Sequence, residues 1–177
     1  MNIKQFVYKS VNSTNDTAIN LIKKKNIKVG FVISEKQKNG RGQRGKKWIS
    51  EKGNLFVSIF FSLEKINLDL NQLTNANVLL IKKLISLYYN KKIKLKPPND
   101  ILINKMKICG ILQEIVHKNG VKYLIVGIGL NLIKSPNIKD YPTTNLYDLT
   151  KKKLSIKKLT KQLILIYKSF LISNKVF

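Results

Sequence analysis

Arginine, cysteine, histidine and tryptophan are all nearly missing from this chain of 177 residues. The single cysteine, Cys109, excludes an internal disulfide framework and a cysteine-rich zinc site, and it reads as strand packing. The single histidine, His117, stands before an Asn119-Gly120 turn and reads as an exposed hairpin residue. Neither a Ser-His-Asp nor a Cys-His nucleophilic arrangement is therefore expected, nor a metal held by the protein itself. Long apolar runs are absent too: nothing approaches the ~20 residues of a membrane-spanning helix, and Met1-Asn2-Ile3-Lys4-Gln5-Phe6 carries no signal-peptide core. The expectation is a cytoplasmic protein without a membrane partner.

Acidic residues are scarce, 9 against 34 basic ones, and the net charge is +25. Such a balance ordinarily points to nucleic acid or an anionic surface. Here the lysines are scattered over every segment beside abundant Ile and Asn, as an AT-rich coding sequence would produce. No basic and aromatic interleaving of a base-stacking platform is evident. A charge-driven, non-enzymatic nucleic-acid binder stays as the alternative from another class, and no sequence-specific DNA contact is expected.

A length of 177 residues suits one domain with a real core. Residues 6–9 read as a short strand, and Ser13-Thr14-Asn15-Asp16 supplies cap chemistry for a helix reaching about Lys25. Residues 29–34 and 55–61 are apolar strands. Leu73, Ala76, Leu80, Leu84 and Leu87 recur at helical intervals between about residues 71 and 90. Short strands at 93–96 and 101–103 flank Pro97-Pro98-Asn99-Asp100, and longer ones at 107–117 and 121–129 complete an antiparallel meander. Residues 134–148 read as a polar loop, and Ser155 caps a last helix carrying Leu159, Leu163, Ile166 and Phe170. The expected class is α+β, a largely antiparallel mixed sheet flanked by helices.

What arginine there is lies in one place. Arg41 and Arg44 are the only two, both within Gly40-Arg41-Gly42-Gln43-Arg44-Gly45-Lys46-Lys47-Trp48. An arginine pair kept in a glycine-rich loop points to a need for the planar, bidentate guanidinium, which lysine cannot copy, and hence to a gripped phosphate or carboxylate. The loop nearly spells a nucleotide P-loop, but Lys47 stands where Ser or Thr should ligate magnesium, and a strand follows where a helix is required. The P-loop reading fails.

Ser13-Thr14-Asn15, Gly40-Arg41-Gly42 with Gly45 and Trp48, Gly53-Asn54-Leu55, Pro98-Asn99-Asp100, Lys107 with Gly110-Ile111-Leu112 and Glu114, and Gly127 with Gly129 and Asn131 follow one another in this order. Each motif is weak alone, but the ordered six, over about residues 6–135, resemble the biotin protein ligases. The resemblance implies the fold shared by class II aminoacyl-tRNA synthetases and biotin synthetase-like proteins. It implies a two-step reaction: biotin and ATP, carried with Mg2+, give biotinyl-5'-AMP and diphosphate, and a lysine of a biotin carboxyl carrier protein then attacks. Lipoate or octanoate ligases share this logic and remain an alternative, although their arginine and triple-glycine signature is absent.

By the same resemblance, Lys107, Arg41 and Asp100 are catalytic. The first two would neutralise the repulsion between carboxylate and triphosphate, and Asp100 would orient or deprotonate an acceptor amine that is neutral in only about one molecule in 2,500 at pH 7. Ser13, Thr14, Asn15 and Gln37 match positions that contact biotin; for the first three, plain helix capping is the competing reading. Gly40, Gly42, Gln43, Arg44, Trp48, Asn99, Gly110, Gly129 and Asn131 complete the expected binding set. Two positions depart from the family pattern: Gln43 is usually basic, and Pro97 is usually tryptophan. The expectation is one ligase-like domain over residues 1–177, with neither an amino-terminal DNA-binding domain nor a carboxyl-terminal SH3-like barrel. Homodimerisation is left open.

Overall fold

Alternation of side chains along one central strand decides where the rest of the molecule goes. In β3 (Leu55–Ser62), Leu55, Val57, Ile59 and Phe61 join one core while Phe60 joins another on the opposite face. All eight residues of the strand are buried. β3 therefore lies inside a sheet covered on both sides. In the computed structural model, which describes residues 3–176, that sheet has seven strands; Met1 and Asn2 of the amino-terminal stretch read above lie outside the described residues.

The strand order is β1 (Lys4–Tyr8), β2 (Val29–Ser34), β3, β7 (Val121–Leu130), β6 (Met106–Lys118), β5 (Asp100–Ile103) and β4 (Lys94–Lys96). β1 and β2 run parallel, and every other neighbour pair is antiparallel. The α+β, largely antiparallel expectation holds, as does the meander from β4 to β7. At its tightest point Asn119 and Gly120 both take positive φ, 49° and 77°, as a two-residue hairpin turn requires. The first strand starts earlier than the expected residue 6, because parallel pairing of Lys4 with Gly30 through Tyr8 with Ser34 defines its length.

α1 (Thr14–Lys25) covers one face, where Ala18, Leu21 and Ile22 pack on Val32, Phe60 and Ile125. α2 (Leu70–Ser86) and α4 (Ile156–Ser173) cover the other with Leu73, Ile81, Leu84, Leu159, Leu163 and Tyr167. α2 opens with a capping box: Asp69 accepts from the Gln72 amide at 2.8 Å, and Gln72 accepts from the Asp69 amide at 2.9 Å. Such a cap contributes about 1 kcal/mol. The helix stops four residues before the expected Asn90, because Leu87 and Tyr88 close it with bonds to Leu84 and Ile85.

Within the expected loop of residues 134–148 lies the start of α3 (Leu146–Thr150), a correction with a local cause. Asn145 accepts from the Asp148 amide at 2.8 Å and Leu146 is fully buried, so a cap and one apolar anchor suffice in a polar stretch.

Candidate active site

Three glycines open a hollow in the α1-side face of the sheet. Gly110 pairs with Gly129 across β6 and β7, and Gly127 pairs with Leu112 on one side and Ser58 on the other. A Cβ at Gly129 would stand 2.3 Å from the Trp48 ring, one at Gly110 2.7 Å from it, and one at Gly127 2.3 Å from the side-chain oxygen of Asn15. The bare backbone therefore lets loop and helix side chains lie directly on the sheet. The cavity so formed has a volume of about 380 Å³.

Its polar end is the start of α1. Ser13 caps the helix through the Asp16 amide, so the capping reading is real, yet Ser13, Thr14 and Asn15 also line the cavity. Gln37, from the loop after β2, accepts from the Thr14 amide at 2.9 Å and lines the same wall. At the other end, Lys107 Nζ lies 2.7 Å from Asp100 Oδ1 and 5.5 Å and 5.1 Å from the ring centroids of Trp48 and Tyr141. A register irregularity puts the lysine there. Ile101 pairs with Cys109 but Leu102 with Lys107, leaving Ile108 as an extra residue in β6. Simple alternation would point Lys107 to the same side as Cys109, into the core; the bulge turns it to the face of Asp100 and Gly110.

The glycine-rich segment folds over this hollow as a short 3-10 turn, Gln43–Gly45, with Arg44 in the left-handed region at φ 54°. No helix follows it, in keeping with the failed P-loop reading. The fork of Arg41 grips carboxylates, but they belong to the chain itself. Its Nη1 and Nη2 donate to Glu114 at 2.8 Å and 2.7 Å, and Nη2 also lies 2.7 Å from Asp16. The Glu114 carboxylate, then the Asp16 charge, raise the Arg41 pKa above its ordinary value, against an opposing effect of burial. Arg44, Lys46, Lys47 and Lys96 line the cavity without a carboxylate partner among the described residues. They are the cations left to meet an incoming anion.

Gly42, Gln43, Trp48, Asn99, Gly110 and Gly129 also line the cavity. Asn99 donates its side-chain amide to the Ile111 carbonyl at 2.8 Å, bracing β5 to β6. Two expected binding residues lie apart from the cavity wall. Gly40 accepts from the Trp48 amide at 2.8 Å and closes the base of the loop. Asn131, 1 % exposed, donates to the Thr144 carbonyl at 3.1 Å and anchors the segment that carries Tyr141. Asn54 anchors the same segment from below, accepting from the amides of Leu132, Ile133 and Lys134.

Sequence reading did not assign Lys96, Tyr141, Asp16, Ser58 or Glu114 to the site. For the last two a signal existed: Ser58 is the one polar residue in the apolar run 55–61, and Glu114 the one carboxylate in β6. Tyr141 carried none, since it sits in a polar loop with no periodicity.

A family model described as the biotin/lipoate A/B protein ligase family matches residues 7–131, more than half of the chain. The bifunctional ligase/repressor BirA of Bacillus subtilis is 32% identical over 142 residues, which cover 78% of this chain and 43% of that protein. The chain spans less than half the length of the curated relatives it matches. Among solved structures, biotin protein ligase from Leishmania major in complex with biotin superposes with a TM-score of 0.82 at 23% identity, covering 94% of this chain and 73% of that one. The ligase from Aquifex aeolicus in complex with biotin and ATP superposes at 0.78 with 25% identity, covering 94% and 69%. The match of the family model over residues 7–131 shows that the chain belongs to the biotin/lipoate A/B protein ligase family.

Proposed function

We propose that this domain activates biotin with ATP and passes the acyl group to a lysine of a carboxyl carrier protein in the cytoplasm. The observation that carries the reading is one hollow with hydrogen-bonding groups at one end, Thr14, Asn15 and Gln37, and the Lys107–Asp100 pair at the other. A ligand with a polar ring and a distal carboxylate suits that polarity. Its carboxylate oxygen attacks the α-phosphorus of ATP, the bond to the β-phosphate oxygen breaks, and diphosphate leaves; Mg2+ carried with the nucleotide would offset part of the triphosphate charge. Lys107 offsets the negative charge gathered at the reacting phosphate, helped by Arg44, Lys46, Lys47 and Lys96 along the cavity lining. Its ammonium is held by Asp100 and screened by two aromatic rings, so little reorganisation is needed.

In the second step the neutral amine of the acceptor lysine attacks the acyl carbonyl and AMP leaves. We assign Asp100 the orientation of that amine. Arg41 takes a different role from the one its chemistry first suggests: with its guanidinium on Glu114 and Asp16, it holds the loop in place and leaves phosphate to the other cations.

ATP–diphosphate exchange, run with biotin, lipoate, octanoate or no acid on wild type and Lys107→Ala, tests the reading. Biotin-dependent exchange that falls by about a hundredfold or more in the variant is expected. Exchange with lipoate or octanoate alone would move the protein to the other branch of its family, and none with any acid would refute activation by this domain.

A further inference from the structure

Ser58 and Glu114 lie behind the cavity wall without lining it, yet both are bonded to residues that do. We propose that they are positioning and specificity residues, which fix the direction of a hydrogen-bond chain so that Thr14 presents an acceptor to an N–H group of the ligand. The proposal rests on the biotin reading above and adds to it how this chain distinguishes a ureido ring from an acid without one.

The direction follows from counting protons. Asn15, 2 % exposed, donates its side-chain amide to Glu114 Oε2 at 2.6 Å and to the Leu112 carbonyl at 3.3 Å. Its amide nitrogen thus faces Glu114, and its Oδ1, which can only accept, faces Ser58 Oγ at 2.5 Å. Ser58 must spend its one proton there. Ser58 Oγ also lies 2.8 Å from Thr14 Oγ1, a contact that needs a proton from one of the two. Only Thr14 has one left to give. Gln37 Oε1, which accepts from the Thr14 amide at 2.9 Å, has room for the hydroxyl proton too, but it lies farther off at 3.1 Å, and a proton sent there would leave the 2.8 Å contact with Ser58 without one. With its proton on Ser58, Thr14 keeps its oxygen lone pairs free of any donor among the described residues.

The buried links of this chain, Ser58 with Thr14 and with Asn15, resist reversal, because turning them round would leave an acceptor facing an acceptor away from water. Glu114 sets its sense: a carboxylate only accepts, so it holds the amide nitrogen of Asn15 toward itself, and the Arg41 fork immobilises the carboxylate in turn. A ureido ring offers N–H donors to Thr14. Lipoate and octanoate offer none at that end and would leave the acceptor unpaired, a discrimination that sites built on hydrogen bonding achieve far better than apolar ones.

Calorimetric titration of biotin, and separately of ATP, into wild type, Ser58→Ala and Glu114→Gln tests this. Ser58→Ala frees the Thr14 proton, and Glu114→Gln lets the Asn15 amide turn over. Both should weaken biotin binding by about tenfold or more, while Ser58→Ala leaves ATP affinity within about threefold. Should Ser58→Ala fail to fold, Glu114→Gln at a half-buried position still reads the biotin effect. Biotin binding unchanged in the folded variants, or biotin and ATP weakened alike by Ser58→Ala, overturns the proposal and leaves the ligase reading standing. Absence of biotin binding to wild type overturns both.

Discussion

Single residues in this protein do work that their neighbours in sequence do not reveal. The isolation of Arg41 and Arg44 in one loop points to a need for a guanidinium fork, and the fork of Arg41 is used, but on Glu114, 73 positions away in the chain. The need for bidentate geometry is local chemistry; the partner is set by strand order. Gly127 illustrates the same point from the side of absence. A Cβ there would meet the side-chain oxygen of Asn15 at 2.3 Å, so on the proposed function Gly127→Ala should displace Asn15 and weaken biotin binding by about tenfold, with the circular dichroism of the fold retained. Unchanged affinity, by calorimetry, would show that Asn15 does not need its place on the sheet. Cys109 is fully buried, and burial pushes its thiol pKa up. The folded state thus favours the protonated thiol. That contribution to stability is fully present below the ordinary thiol value of 9.0 and is lost as pH rises beyond it. Iodoacetamide at about pH 8 should label native protein only as fast as it unfolds; rapid labelling would contradict the buried position.

At the scale of elements, the strands and the two long helices were legible because periodicity and caps act within a few residues. The boundaries that moved, β1, the end of α2 and the start of α3, are those set by a pairing partner or by a single buried anchor. The segment after β7 is the clearest case of an element held from elsewhere. It has no helix or strand of its own from residue 132 to 145, yet it carries Tyr141 to Lys107 because the Lys107 amide donates to the Pro142 carbonyl and the Thr144 amide to the Lys107 carbonyl, while Asn54 holds three amides at its start and Asn131 the Thr144 carbonyl near its end. Asn54→Ala should leave the buried Leu132 amide, and the half-buried ones after it, without this partner and lower stability by about 1–3 kcal/mol, measured by urea unfolding. A loss under about 0.5 kcal/mol would mean that the segment finds other partners.

Across the whole molecule, two helices on one face of the sheet are joined to it by a buried polar bridge. Tyr167 of α4 donates to Asn77 of α2 at 2.9 Å, and Asn77 donates to Gln113 of β6 at 2.7 Å, inside an otherwise apolar core. Tyr167→Phe keeps the ring and strands the Asn77 oxygen, so it should cost about 1–3 kcal/mol and lower the melting temperature by several degrees, as calorimetry can show. No shift would place the bridge outside the energetics of docking. The excess of lysine has its counterpart at this scale: only a few of the cations meet a carboxylate among the described residues, and the rest remain solvated charge. By itself the sequence determined the three longer helices, the strands, the antiparallel meander and the ordered motifs, because hydrophobic period, capping and turn chemistry are short-range. Only the tertiary structure decided that Lys107 faces the cavity across a bulge, that Arg41 spends its charge internally, that Asn131 serves the scaffold, and that Ser58 stands behind Thr14. Each of those outcomes depends on which strand lies beside which, and that is settled by packing between residues far apart in the chain.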